Sequence, residues 1–257
     1  MSGRTQDALV VDQFGARAGD YLTSTVHAAG EDLAALAALA HGRAGARVLD
    51  MGTGGGHVAY AIAPHVTEVV AYDLSDEMLS VVARAAAERG LTNVATRQGR
   101  AEQVPFPDDS FDLVVSRYSA HHWGDFDAGL REAARVARPG ATVGFVDVVS
   151  PGRPAADTFF QAIELLRDTS HVRDRSRAEW EDAAARAGLD TERMHMFRVR
   201  LDFATWIARM RTPPHLVAAI RALQEAAPAD VRRHLAIEPD GSFGIDVALF
   251  VFRKPGG

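Results

Sequence analysis

The stretch Arg47-Val-Leu-Asp-Met-Gly-Thr-Gly-Gly-Gly-His57 constrains the fold more than any other part of the chain. A short apolar run meets an acid, Asp50, then glycines at 52, 54, 55 and 56, then apolar residues of helical period. That order predicts a buried strand, a tight turn and a helix start, the opening of a βαβ unit. Glycine suits such a turn because its backbone takes positive φ and lets a ligand lie against bare peptide. The dinucleotide fingerprint Gly-x-Gly-x-x-Gly needs a third glycine for close helix–strand packing. Counted from Gly52, that place holds His57, and the match fails. What remains is Asp50-x-Gly52-x-Gly54-x-Gly56.

The pattern downstream alternates. Strands are predicted at 47–51, 68–72, 93–98, 111–116 and 142–149, with helices at 57–63, 76–89 and 126–138 between them. Ser75 opens the second of these helices and Gly90 closes it. Ahead of the first strand, 1–12 reads as a frayed arm and 14–40 as helix. Past Pro151 the reading gives helices at 155–167 and 177–187, the latter with a Ser176/Glu179 capping box. A strand at 198–203 follows, then helical segments in 204–235 broken by Pro213-Pro214 and Pro228. Asp240-Gly241 turns into a last strand at 247–253. The expectation is an α/β, doubly wound, mostly parallel sheet of seven strands. Residues 1–42 form an N-terminal helical arm and 43–257 one domain, with 204–235 inserted as a helical cap between the last two strands.

Composition removes several classes of function. The net charge of −6 gives no electrostatic reason to expect nucleic acid. There is no cysteine, so disulfides and thiolate chemistry are excluded. No apolar run is long enough to span a bilayer, and the polar first residues are unlike a signal peptide. The expected setting is the cytoplasm, with a small-molecule partner, no membrane partner, and a monomeric or homodimeric state.

Two further stretches carry chemistry. Asp73 ends the predicted second strand, about 21 positions after the glycine turn. A carboxylate there can accept hydrogen bonds from both hydroxyls of a ribose. The fourth strand runs into Ser116-Arg117-Tyr118-Ser119-Ala120-His121-His122-Trp123, a dense set of polar and aromatic groups where open α/β sheets bind ligands. No acid or histidine partner stands at ligand spacing from the two histidines, so no metal site is expected. Adjacent residues leaving a strand point to opposite sides, so only one histidine is expected to face a pocket.

Together Asp50-Met-Gly-Thr-Gly-Gly-Gly-His, Ala71-Tyr-Asp-Leu-Ser, Arg117-Tyr-Ser-Ala-His-His-Trp, Arg135-Val-Ala-Arg-Pro-Gly and Leu166-Arg-Asp-Thr-Ser-His-Val-Arg resemble the class I S-adenosylmethionine (AdoMet) methyltransferases. Within these the chain is similar to the YafE/YcgJ type, near the UbiE-like small-molecule enzymes. The resemblance implies a Rossmann-like fold and AdoMet as methyl donor, with S-adenosylhomocysteine as its product. Cofactor contacts are implied at Tyr21, Asp50, Gly52, Gly54, Gly56, Asp73, Leu74, Arg100, Ala101, Glu102 and Arg117. Arg100 stands where the family often has an aspartate for the adenine amino group, so that contact passes to backbone near Ala101. His27, Arg167, His171 and Arg173 fall where acceptor enters. The base signatures of nucleic-acid amine methyltransferases, Asn-Pro-Pro-Tyr and Asp-Pro-Pro-Tyr, are absent.

A methyl on sulfonium sulfur is already activated, so the protein has to align the acceptor and exclude water. An acceptor hydroxyl, amine or acidic carbon also needs a base, for which His121 and His122 are the candidates, with Tyr118 behind them. The leading expectation is methyl transfer to oxygen, nitrogen or activated carbon of a small molecule. The alternatives are an AdoMet-binding regulatory or assembly protein without turnover, and a nicotinamide-dependent oxidoreductase, against which His57 stands.

Overall fold

The computed structural model describes residues 4–15 and 30–256. Seven strands form one sheet: β1 (Arg47–Met51), β2 (Glu68–Asp73), β3 (Val94–Gln98), β4 (Phe111–Arg117), β5 (Ala137–Val149), β6 (Asp190–Leu201) and β7 (Phe243–Arg253). Their order is β3-β2-β1-β4-β5-β7-β6, parallel throughout except that β7 runs antiparallel to both neighbours. After β1 the chain builds outward through β2 and β3, then returns to β4 on the other side. The strand order therefore reverses between β1 and β4, and a crevice opens above their carboxyl ends.

Alternation along the central strands sorts side chains into two cores. Val48, Val69, Leu113 and Val115 face one side, Leu49, Met51, Val70 and Val114 the other. Helices α1 (Gln6–Gly15), α2 (Glu31–Ala37), α3 (His57–Ile62), α4 (Asp76–Glu88), α5 (Phe126–Val136), α6 (Pro154–Arg167) and α7 (Arg177–Arg186) precede β6. α8 (Phe203–Met210), α9 (Pro214–Ala226) and α10 (Ala229–His234) fall between β6 and β7, as the pattern predicts. Ser75 caps α4 by accepting the Met78 N–H, and the Ser176/Glu179 capping box is formed.

Some bounds change, and two elements are built into the core. Residues 6–12 of the segment expected to fray lie in α1, although none of that helix's residues is buried. Within the N-terminal helical arm, Leu33, Leu36, Leu39 and Ala40 are built into the first core, with Leu36 and Leu39 facing Gly144 of β5. The cap joins that core as well, through Phe203, Trp206, Ile220, Val231 and Leu235. β6 begins eight residues before the sequence pattern showed it, at Asp190 rather than 198. As the sheet's edge strand it keeps one side to solvent and carries charge along it, which blurs the alternation used to recognise strands.

Candidate active site

A cavity of about 230 Å³ sits over the carboxyl ends of β1, β2 and β4. Its floor is the glycine turn. Gly52 has φ +68, and a Cβ there would run into the Ser119 side chain. Gly54, at φ +50, has no atom within 4 Å of where a Cβ would stand, so bare backbone meets open space. Its N–H donates to Asp73 Oδ2 at 2.8 Å, and the Ser75 N–H donates to Asp73 Oδ1 at 3.0 Å. Burial raises the Asp73 carboxyl above the usual range, against the pull of those two N–H groups.

Beneath the turn, Asp50 is fully buried and accepts the Thr53 hydroxyl at 2.6 Å. Its Oδ1 has no partner among the described residues. Burial pushes this carboxyl up to about 7. Asp50 and Gly56 do not line the cavity, contrary to the expectation that both meet cofactor. Gly56 is glycine because it caps α3 at φ +81 with the Tyr60 ring packed where a Cβ would be. Leu74, Arg100, Ala101, Glu102 and Arg117 do line it. Arg100 reaches out to Asp7 of α1 at 2.8 Å, and Arg117 is buried in an ion pair with Asp32 at 2.7 Å. Tyr21 and His27 lie outside the described residues.

Beyond β4 the chain turns sharply. Tyr118 adopts φ +52, and residues Ala120–His122 make one turn of 3₁₀-helix. The turn overrides the alternation of a strand, so both histidines line the same cavity, with ring centroids 4.2 Å apart. Their states nonetheless diverge. His121 Nδ1 bonds Asp147 Oδ1 at 2.6 Å. Burial opposes its charge, but the Asp147 carboxylate, with Asp174 and Glu164 beyond it, outweighs burial and raises the imidazole to about 9. His122 Nδ1 lies 3.1 Å from the Ser170 carbonyl, which can only accept, so that nitrogen carries the proton. Burial, then the charge of His121, lower His122 to about 4. Its ring packs edge-on against Phe14 of α1. Burial pushes the Tyr118 phenol upward, which disfavours it as a base.

The entrance residues divide. Arg167 lines the cavity, bonded to Glu164 at 3.3 Å and to the Trp206 carbonyl at 3.1 Å. His171 and Arg173 leave it. His171 is buried and donates through Nε2 to Gln161 at 3.0 Å, while Arg173 is engaged by Asp157 and Glu179. Four lining or supporting acids were not anticipated: Asp147, Glu164, Asp168 and Asp174. Asp147 had a signal, as the lone charge in the apolar run 142–149. The expectation that no acid stands near the histidines is also corrected, since one atom each of His121, Asp147 and Asp174 lies within 4.8 Å of the others. These acids come from β5 and from the loop after α6, too distant in sequence for spacing to show.

A glycine turn at a switch point, an acid at the end of β2 and a histidine–carboxylate pair after β4 thus meet around one cavity. The region 49–145 matches the family model described as a methyltransferase domain. The chain is 47% identical over 194 residues to YafE of Escherichia coli, covering 76% of this chain and 94% of that protein. It is 40% identical over 200 residues to the methyltransferase YcgJ of Bacillus subtilis, covering 78% and 79%. The crystal structure of YcgJ superposes with a TM-score of 0.85 at 35% identity, over 88% of this chain and 99% of that one. A shorter match, 34% over 113 residues and 42% of this chain, is to the quinone C-methyltransferase UbiE of Shewanella oneidensis, 45% of which is covered. The chain is therefore an AdoMet-dependent methyltransferase. It belongs to the family of YafE and YcgJ. The nicotinamide reading is set aside by this membership. The open floor at Gly54 and the Asp73 carboxylate fit such a cofactor, and among the described residues no helix is long and apolar enough to cross a membrane.

Proposed function

We propose that this enzyme methylates an oxygen, nitrogen or acidic carbon of a small molecule whose proton is taken by the His121–Asp147 pair. The 2.6 Å bond from Nδ1 to Asp147, inside a cavity continuous with the glycine turn, carries this reading. When bound, AdoMet supplies a methyl group already activated on sulfonium sulfur. Gly52 and Gly54 would lie against its methionine end, Asp73 would accept the ribose hydroxyls, and Leu74, Ala101 and Glu102 would border the adenine. Asp147 also accepts the Ala120 N–H at 2.9 Å and the Val148 N–H at 2.8 Å, so its carboxylate is fixed before any ligand arrives. That fixed carboxylate holds His121 in one tautomer, leaves Nε2 to receive the acceptor's proton, and stabilises the imidazolium that results. His122, neutral and bonded to Ser170, supports the wall instead.

Mass spectrometry of candidate acceptors incubated with isotope-labelled AdoMet identifies a product. With that acceptor, His121→Asn lowers turnover about 10²–10⁴-fold while AdoMet affinity is kept. His122→Asn costs stability and changes turnover less. Because the base is the uncharged imidazole, kcat/KM climbs with pH toward about 9, and Asp147→Asn moves that midpoint down. Near-native turnover in His121→Asn would sink the proposal.

A further inference from the structure

Of the lining acids the mechanism does not use, Glu164 pairs with Arg167 and Asp168 accepts from Ser170, whereas Asp174 keeps an unpartnered oxygen. Asp174 is 2% exposed, and its Oδ2 has no hydrogen-bond partner among the described residues. A buried carboxylate oxygen left unpaired is costly, and native structures rarely keep one without a use. The residue is held firmly all the same. Gln161 clamps its backbone from both sides, with Nε2 donating to the Asp174 carbonyl at 2.8 Å and Oε1 accepting the Asp174 N–H at 3.1 Å. His171 donates to the same Oε1 at 3.0 Å, which fixes the orientation of the amide. The main chain is satisfied and the side chain is presented to the cavity.

The charges bearing most on Asp174 are His121 and Arg167 on one side, Glu164 and Asp147 on the other. Asp147 is matched by His121 and Glu164 by Arg167. Three acids stand against two cations, His171 Nε2 comes no nearer than 3.7 Å to Oδ2, and burial with the neighbouring Glu164 and Asp147 raises Asp174 well above the usual range, so its charge is disfavoured until a further cation joins it. Building on the methyl-transfer reading, we infer that the acceptor carries a protonated amine, received by Asp174 Oδ2 beside the His121–Asp147 pair. A hydroxyl satisfies the oxygen but not the charge, and an anionic group adds to the excess. An ammonium does both, through a charge-assisted bond. A divalent cation fits less well, because His121 Nδ1 and Asp147 Oδ1 are already committed to each other. Trp206 and Met210, which line the same cavity, give the rest of the acceptor an apolar wall.

The test is calorimetry on the full chain saturated with S-adenosylhomocysteine. Three probes share a phenol body: tyramine with an ammonium, 4-ethylphenol with no charge, and 3-(4-hydroxyphenyl)propanoate with a carboxylate. Tyramine is expected to bind about tenfold or more tighter than the other two. Asp174→Asn, which keeps the shape and removes the charge, abolishes that preference, leaves S-adenosylhomocysteine affinity near native and gives a melting temperature no lower than native. Equal affinities, no binding by any probe, or a preference retained in Asp174→Asn overturns the inference. So does a rise in melting temperature with magnesium, manganese or zinc chloride alone that Asp174→Asn removes, since the acid then serves a metal. The methyl-transfer reading fails separately, through native turnover in His121→Asn, a measurement that does not involve the probes.

Discussion

Asp73 ties the glycine turn to the start of α4 through one carboxylate. Each oxygen already accepts one backbone N–H, and each has a further lone pair for a ribose hydroxyl. Asp73→Ala should weaken AdoMet binding by about 1.5–3 kcal/mol, the range for hydrogen bonds to a charged group. Titration calorimetry checks this, and unchanged affinity removes Asp73 from the ribose. At this scale the sequence was legible in which residue types reach the cavity from the strand ends, as with Asp73, Gly52 and Gly54. It was illegible where function depends on a partner far along the chain. His121 and His122 were visible as candidates, but their charge states are set by Asp147 and Ser170, 26 and 48 residues away. The same distance hid Asp174.

Elements differ in how firmly they cover the cavity. α8 contributes Trp206 and Met210 to its wall, yet both are almost fully buried, and α9 and α10 anchor Ile220 and Val231 in the principal core. α1 also borders the cavity, through Asp7, Val10 and Phe14, but buries no residue. Gln6 donates to the Ser170 carbonyl at 2.6 Å, Phe14 packs on His122, Met78 and Val81, and Asp7 meets Arg100. Exposed ion pairs of that sort contribute little. Hydrogen exchange should therefore be fast in Gln6–Gly15 and slow markedly when S-adenosylhomocysteine binds, while the interior of α8 to α10 changes little. Equal protection of α1 with and without ligand would show a permanently docked helix. The sequence located the cap between the last two strands, because prolines and amphipathic period are local signals. That the cap is core and α1 the loosely held piece depends on burial, which local pattern does not contain.

Across the whole molecule, the site's buried titratable groups shape stability against pH. His122 lies near 4 in the folded chain, below its ordinary value, so its contribution is present above about 6.5 and is lost as pH falls through 4. His121 is raised to about 9, so its contribution is present below about 6.5 and is lost as pH rises through 9. Asp50 is raised as well, from 3.8 to about 7, and its contribution is lost as pH rises through that window. A chain built only for stability would not keep a carboxylate there with Oδ1 unpaired, directly below the glycine turn. Asp50→Asn keeps the shape and the bond from Thr53 but carries no charge. The variant's melting temperature should gain on the native chain as pH rises from 4 to 8, by about 2–4 °C for each kcal/mol recovered. The His121→Asn variant should gain nothing in that window below pH 6.5, which separates the two groups. Thermal melts of the three proteins at half-unit pH steps measure this. A melting-temperature difference between Asp50→Asn and the native chain that stays constant from pH 4 to 8 would mean Asp50 does not titrate there, and that its burial is tolerated in a single protonation state.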